Sequence, residues 1–400
     1  MGKSTLATAT AVRAARAGAR VLIVSTDQAH STGDVLGTAI TPTGRREPTR
    51  VSLAGGSLDV LELDTLALLE ARWREVAGIV AARFPDSEVG EIAPQELSAI
   101  PGIQEVLGLH EIAELAADGR WDRVIVDCAS TADALRMLTL PSALTLYLER
   151  AWPRHRRLST GGHDGPSEAM AALIERIAGA AEELSALLTD GGVQAHLVLT
   201  AERVVAAEAL RTLGSLRLLG VPIAELIVNQ VLMQDDSYEY SNLPAHPALD
   251  WYTERIDEQR GVLADISSAV GEADLVLVPH LPGEPIGVSA LGDLLDAARR
   301  RDAPPEAPSV SVLAAPEVLV DRESGRGLDA VYRLRVELPH IDAASLTLGR
   351  VDDDLIIGSG STRRRIALAP VLRRCEVTDA RLDGAELTVR FRPNPEVWPE

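Results

Sequence analysis

The first residues in the chain whose types could do chemistry are Gly2-Lys3-Ser4-Thr5, which read as the closing part of a phosphate-binding loop. In such loops glycines let backbone N–H groups close around the phosphates, a Lys reaches the β- and γ-phosphates, and the next hydroxyl ligates Mg²⁺. Two acids follow, each behind an apolar run: Asp27 after Val21-Leu22-Ile23-Val24-Ser25-Thr26, and Asp127 after Val124-Ile125-Val126. An acid at the carboxyl end of a buried parallel strand lies in the crevice where α/β sheets bind ligands. The second has the form of an acid that orients water on Mg²⁺. Taken singly, a Gly-Lys-Ser triplet is equally an ordinary N-terminal tail, and an apolar run followed by Asp is common. Their order and separation suit phosphoryl transfer. The stretch 28–34 (Gln28 to Asp34) is small and polar, either a loop that responds to a γ-phosphate or a plain strand-to-helix connection.

The elements that must position these residues follow from the patterning. Leu6 to Ala17 is Ala-rich and helical, stopped by Gly18. Residues 42–57 read as a surface loop, and Leu58 to Asp64 as a strand. From Thr65 to about Asp118 the apolar spacing becomes three and four, with breaks at Pro85, Pro94 and Pro101-Gly102. This helical insertion, and a second over about 142–190, either holds a partner or caps the sheet. The Arg- and Gly-rich stretch 153–167 reads as a basic loop, a solvated hinge on its composition. Strands then alternate with helices at His196–Thr200, Ala224–Asn229 and Asp274–Val278, and a last helix covers Val288–Arg300. The pattern predicts an α/β domain over 1–300, one parallel sheet covered on both faces. A Pro-rich linker at 301–310 changes the period from 3.6 to 2. Residues 311–400 then predict an antiparallel β-sandwich, with alternation in Tyr332–Leu338 and Leu387–Arg392 and a turn at Asp383-Gly384.

Composition excludes several classes. At 400 residues with 46% apolar but only 3% aromatic residues, the core is built from Ala, Leu and Val. A net charge of −20 opposes binding of nucleic acid or an anionic membrane by bulk attraction. No apolar run is long enough for stable membrane insertion, no signal peptide is evident, and two distant cysteines suit a reducing compartment, so a cytoplasmic location is expected. The eight histidines show no ligand spacing, which leaves only a nucleotide-linked metal.

Four motifs in order resemble those of the anion-transporting ATPase family, which includes arsenite-pump ATPases and the targeting factor for tail-anchored membrane proteins. They are Gly2-Lys3-Ser4-Thr5, Asp27-Gln28-Ala29-His30-Ser31, Pro101-Gly102-Ile103-Gln104-Glu105, and Asp127 to Leu138. The resemblance implies a P-loop NTPase that hydrolyses ATP with Mg²⁺ and works as a homodimer. It implies that Gly2 and Lys3 cradle the β/γ-phosphates, Ser4 binds Mg²⁺, Thr5 meets the α-phosphate, and Asp27 positions the attacking water. Asp127 would act through the Mg²⁺ shell and Asn229 would read adenine, with 278–285 closing over the base. Gln28 and Ala132-Asp133-Ala134 depart from the family's Pro and Gly-His-Thr. Cys128 and Cys375 do not provide the convergent thiolates that arsenite needs, and no Cys-x-x-Cys is present. Tyr332 to Arg392 is similar to the small heat shock protein (HSP20-like) sandwich, implying client binding or a dimer-stabilising module.

Two function classes are therefore expected. The first is an ATP-driven dimeric switch that opens and closes a helical surface for a protein client. The second is a nucleotide-independent chaperone or scaffold. A partitioning NTPase on DNA or membrane is disfavoured by the charge. Aligned on Gly-Lys-Ser-Thr, Met1 stands where the family has Val, and a GTG codon can serve as a bacterial start. The expectation is a native protein with an upstream strand and Lys-Gly-Gly, without which hydrolysis would be weak.

Overall fold

A computed structural model describes residues 2–29, 31–53, 56–83, 103–151, 166–233, 244–271, 273–301 and 312–398. Helix α1 (Lys3–Arg16) buries Leu6, Ala9, Ala11, Val12, Ala14 and Ala15, so its small residues bring its axis close to the sheet. Strand β1 (Val21–Ser25) is buried along its whole length, as its unbroken β-branched run predicts. Burying Leu22, Ile23 and Val24 contributes roughly 1.5–3 kcal/mol each. Helix α2 (Ser31–Leu36) is a short turn after it. Strands β2 (Thr49–Leu53) and β3 (Gly56–Glu62) form a hairpin. Helices α3 (Thr65–Arg83) and α4 (Ile103–Ala117) pack together, and β4 (Arg123–Asp127) leads into α5 (Thr131–Ala151). Pro101-Gly102 and most of 153–167 lie outside the described residues.

The second half repeats the alternation. It runs α6 (Pro166–Thr189), β5 (Ala195–Thr200), α7 (Arg203–Leu219), β6 (Ile223–Val231), α8 (Pro247–Val270), β7 (Asp274–Pro279), α9 (Val288–Asp296) and the short β8 (Arg299–Arg300). The expected α/β class holds, with two corrections to its detail. The strands form two four-stranded sheets rather than one, in the orders β2-β3-β1-β4 and β5-β6-β7-β8. Among the described residues β4 pairs only with β1 and β5 only with β6, so counting strands in sequence did not reveal which edges meet. Helix α1 joins the two, because its apolar face shares one cluster with Ile23 and Val60 of the first sheet and Ile227 and Val278 of the second. Secondly, the stretch read as a loop over 42–57 contains β2, and the last helix ends at Asp296 ahead of β8. Both β2 and β8 are antiparallel edge strands. Only Val51 of β2 is buried, and that mostly polar surface hides a strand from pattern reading.

Beyond residue 311, β9 (Val318–Ser324), β10 (Val331–Glu337), β14 (Cys375–Asp383) and β15 (Glu386–Pro393) make one antiparallel sheet. Strands β11 (Leu346–Val351), β12 (Asp354–Ser359) and β13 (Thr362–Ala367) make another, with α10 (Pro370–Arg373) between β13 and β14. Leu334, Val336, Ile357, Leu387, Val389 and Phe391 fill the space between the sheets. Leu218 of α7 joins that same core, so the sandwich is docked on the α/β unit. Among the described residues no helix is long and apolar enough to cross a membrane.

Candidate functional site

Three strand ends stand in register at the carboxyl edge of the first sheet: Glu62 of β3, Ser25 of β1 and Asp127 of β4. All are buried, with Asp127 only 1% exposed, so water does not solvate its charge. Neither carboxylate oxygen of Asp127 meets a donor in full hydrogen-bond geometry, although the Ser4 and Ser25 hydroxyls lie near it. An ion left this way is costly, and a structure normally pairs it or gives it a metal. Burial pushes the Asp127 carboxyl above the usual carboxylate range, and the nearby charge of Asp27 adds to the rise; the Ser4 and Ser25 hydroxyls and the Lys3 ammonium oppose it. A buried carboxylate in this setting suits a cation.

Asp27 is held beside it by its own backbone. The Thr26 N–H and hydroxyl both donate to the Asp127 carbonyl, at 3.0 and 3.2 Å. The Asp27 N–H donates to Ser25 Oγ at 3.3 Å, and Asp27 Oδ1 accepts from the Ala29 N–H at 3.0 Å in an Asx turn. The half-buried carboxylate opens onto a cavity of about 450 Å³ that is also lined by Gln28, Glu105, Cys128 and Asp133. Arg136 crosses this cavity, 3.6 Å from Glu105 and 3.8 Å from Asp133.

Lys3, Ser4 and Thr5 make the first turn of α1, whose leading N–H groups and dipole suit an anion. Gly2 precedes them in the left-handed region at φ 79°. A Cβ there would stand 2.5 Å from Asn229 Nδ2, so glycine alone lets this end of α1 approach β6. Asn229 is buried at the end of β6. Gln230 behind it adopts φ 59°, unusual for a residue with a side chain. Gln259 of α8 fixes that turn, accepting from the Leu232 N–H at 2.8 Å and donating to the Gln230 carbonyl at 3.2 Å.

The fold therefore brings the motif residues Lys3, Ser4, Asp27 and Asp127 to one place, with Gly2 and Asn229 in contact on its second-sheet side. His30 of the second motif lies outside the described residues. Sequence reading passed over Ser25 and Glu62. Glu62 closes Leu58-Asp59-Val60-Leu61 much as Asp127 closes its own strand, and that was the available signal. The donor set fits Mg²⁺: hard oxygens from Ser4 and Asp127, one of them a buried carboxylate. It does not fit a soft metalloid. Cys128 stands alone there, its thiol pushed up to about 12 by burial and by the Asp127 charge, whereas a soft metalloid needs convergent thiolates. Among the described residues no group of three or more His, Cys, Asp or Glu could enclose a metal, so Mg²⁺ would take most of its ligands from phosphate and water.

The profile of the anion-transporting ATPase family matches residues 1–298. The chain belongs to that family. A second profile, the HSP20-like domain found in ArsA, matches residues 329–391, which covers most of the sandwich. The resemblance carried by the four motifs is thus the affiliation of the whole chain. Protein Rv2184c of Mycobacterium tuberculosis is 63% identical over 407 residues, covering 100% of this chain and 95% of that protein. An uncharacterized protein of Streptomyces coelicolor, SCO2128, is 31% identical over 417 residues, 100% of this chain and 96% of its own length. The putative arsenical pump-driving ATPase 1 of Aquifex aeolicus is 23% identical over 403 residues, 97% of this chain and 96% of its own length. These three relatives match this member of the anion-transporting ATPase family nearly end to end.

Proposed function

We propose that this chain binds and hydrolyses ATP with Mg²⁺ as a dimeric switch, using the two states to hold and release a protein client. One observation carries the reading: the buried Asp127 carboxylate, with no donor in full hydrogen-bond geometry, beside Ser4, Lys3 and Asp27. Lys3 supplies a positive charge for the β- and γ-phosphates, and the first turn of α1 supplies N–H donors. Ser4 and Asp127 are the residues that would hold Mg²⁺, which when bound neutralises charge across the phosphate oxygens. Asp27, half-buried and oriented by its Asx turn, accepts a hydrogen bond from the attacking water and aligns it. Asn229 serves the base. Phosphoryl transfer of this kind needs position and charge neutralisation, with no covalent catalyst. The dimer has its own support in Val204, Trp251 and Ile286, large apolar side chains exposed on segments that follow β5, β6 and β7.

Calorimetric titration with ATP and Mg²⁺ tests the reading. Saturable binding that is lost in Lys3→Ala, and turnover that is lost in Asp27→Asn while binding persists, are the expected results. If neither this chain nor a version extended upstream by a strand and Lys-Gly-Gly binds ATP, the reading is wrong. A nucleotide-independent scaffold would then account for the fold.

A further inference from the structure

At this sheet edge the proposed phosphate chemistry leaves one buried acid, Glu62, without a task. Glu62, 1% exposed and in register with Ser25 and Asp127, accepts at Oε1 from the Gly33 backbone N–H at 2.9 Å. Gly33 is the third residue of α2, so its N–H is one that the helix cannot satisfy internally. A carboxylate is the stronger acceptor for it, because a charge-assisted bond also complements the positive end of the turn.

The position of α2 gives this bond its consequence. Only residues 26–30 separate β1 from α2, and Asp27 is among them. The near end of that loop is fixed by Thr26 on the Asp127 carbonyl, and the far end by Glu62 on Gly33. Helix α2 is tied once more, at its other end, where the Val35 carbonyl accepts from the Gly287 N–H at 2.9 Å. Gly287 directly precedes α9, which packs on α1. One short helix thus links the Asp27 loop to the segment behind β7.

We infer that Glu62 is a positioning residue: by holding α2 through the Gly33 N–H, it fixes where Asp27 stands relative to Asp127. Its effect on turnover rests on the ATP reading above; its effect on α2 does not. The experiment compares Glu62→Ala with Glu62→Gln, which keeps an acceptor oxygen, by amide hydrogen exchange of the full chain without nucleotide. In Glu62→Ala the amides of 31–36 should exchange about tenfold faster, the scale of one lost buried hydrogen bond, with 22–24 of β1 unchanged. Glu62→Gln should stay within about threefold of the parent in both segments.

In protein that turns over ATP, Glu62→Ala should lower kcat about tenfold with KM nearly constant, and Glu62→Gln should recover most of the rate. Unchanged exchange over 31–36 in Glu62→Ala overturns the inference. So does equal loosening of β1 and α2, which marks a core residue, or an unchanged kcat with a loosened α2. If the parent chain hydrolyses no ATP, the ATP reading fails on its own and the exchange data still decide the clamp.

Discussion

At Asp127 the protein carries a charge that the nucleotide-free fold does not want. Its carboxyl titrates above the usual carboxylate range because burial disfavours the ionised form. The native state therefore holds this proton to higher pH than the unfolded chain does. Stability contributed by the protonated form is present at low pH and is lost as pH rises from the usual carboxylate range through the raised native value. Asp127→Asn removes that dependence and the desolvated charge. Thermal unfolding of the nucleotide-free variant at pH 7 should show a Tm roughly 2–4 °C above the parent, the equivalent of about 1 kcal/mol in a domain this large. The same variant should lose the Mg²⁺-dependent part of ATP binding. A lower Tm, or full retention of Mg²⁺-dependent binding, would contradict the cation role given to this residue. The opposite effects on stability and binding are what distinguish a site carboxylate from a structural one.

Between elements, the two folding units approach closely at α7. A Cβ on Gly214, in the middle of that helix, would stand 2.8 Å from the His340 carbonyl oxygen and 3.2 Å from that of Pro339. The His340 turn itself sits at φ 63°. Replacing a helical Gly by Ala gains about 1 kcal/mol where there is room. Here the obstructing atoms are backbone and cannot rotate away, so overpacking of about 1–3 kcal/mol outweighs the gain. Gly214→Ala should therefore lower stability and speed exchange of the α7 amides, measured by denaturant unfolding and amide hydrogen exchange. A stabilised variant with unchanged exchange would mean that the seam yields.

This seam also marks where sequence reading stopped. Strands such as Val21–Ser25 and Arg123–Asp127 were legible because a buried strand must be apolar throughout, and their terminal acids stood out against it. The amphipathic edge β2 and the two-residue β8 carry too little buried surface to leave a pattern. Glu62 showed its place at a strand end but not its task, because Gly33 offers it a backbone N–H 29 residues away, and backbone donors have no residue type to search for. Nor could spacing reveal that Gly214 faces a turn 126 residues later in the chain.

For the whole molecule, the sandwich is docked by an apolar contact bordered by cations. Leu218 enters the sandwich core, while Arg364 of β13 lies against Gly220 at the end of α7, and β13 also packs on α5. Helix α5 starts four residues after Asp127, so the docked domain touches the element that leaves the candidate phosphate site. The Arg364 guanidinium has its Nη1 buried without an acceptor, and burial pulls its pKa down with no carboxylate acting against that. Arg217 of α7 likewise leaves Nε buried and unpartnered, with only the Glu337 charge opposing the effect of burial. Apolar burial thus favours the docked arrangement, and desolvated cations oppose it. Removing a buried charge that lacks a partner, while keeping its volume, is commonly neutral or stabilising by about 1–2 kcal/mol. Arg364→Met should accordingly tighten docking: slower exchange of α7 amides and an equal or higher Tm. If the variant instead loosens α7, the guanidinium is satisfied by an ordered water or anion in the seam. The docked state would then depend on that group rather than on Leu218 and its apolar neighbours, and added phosphate or sulfate should protect α7 in the parent but not in Arg364→Met.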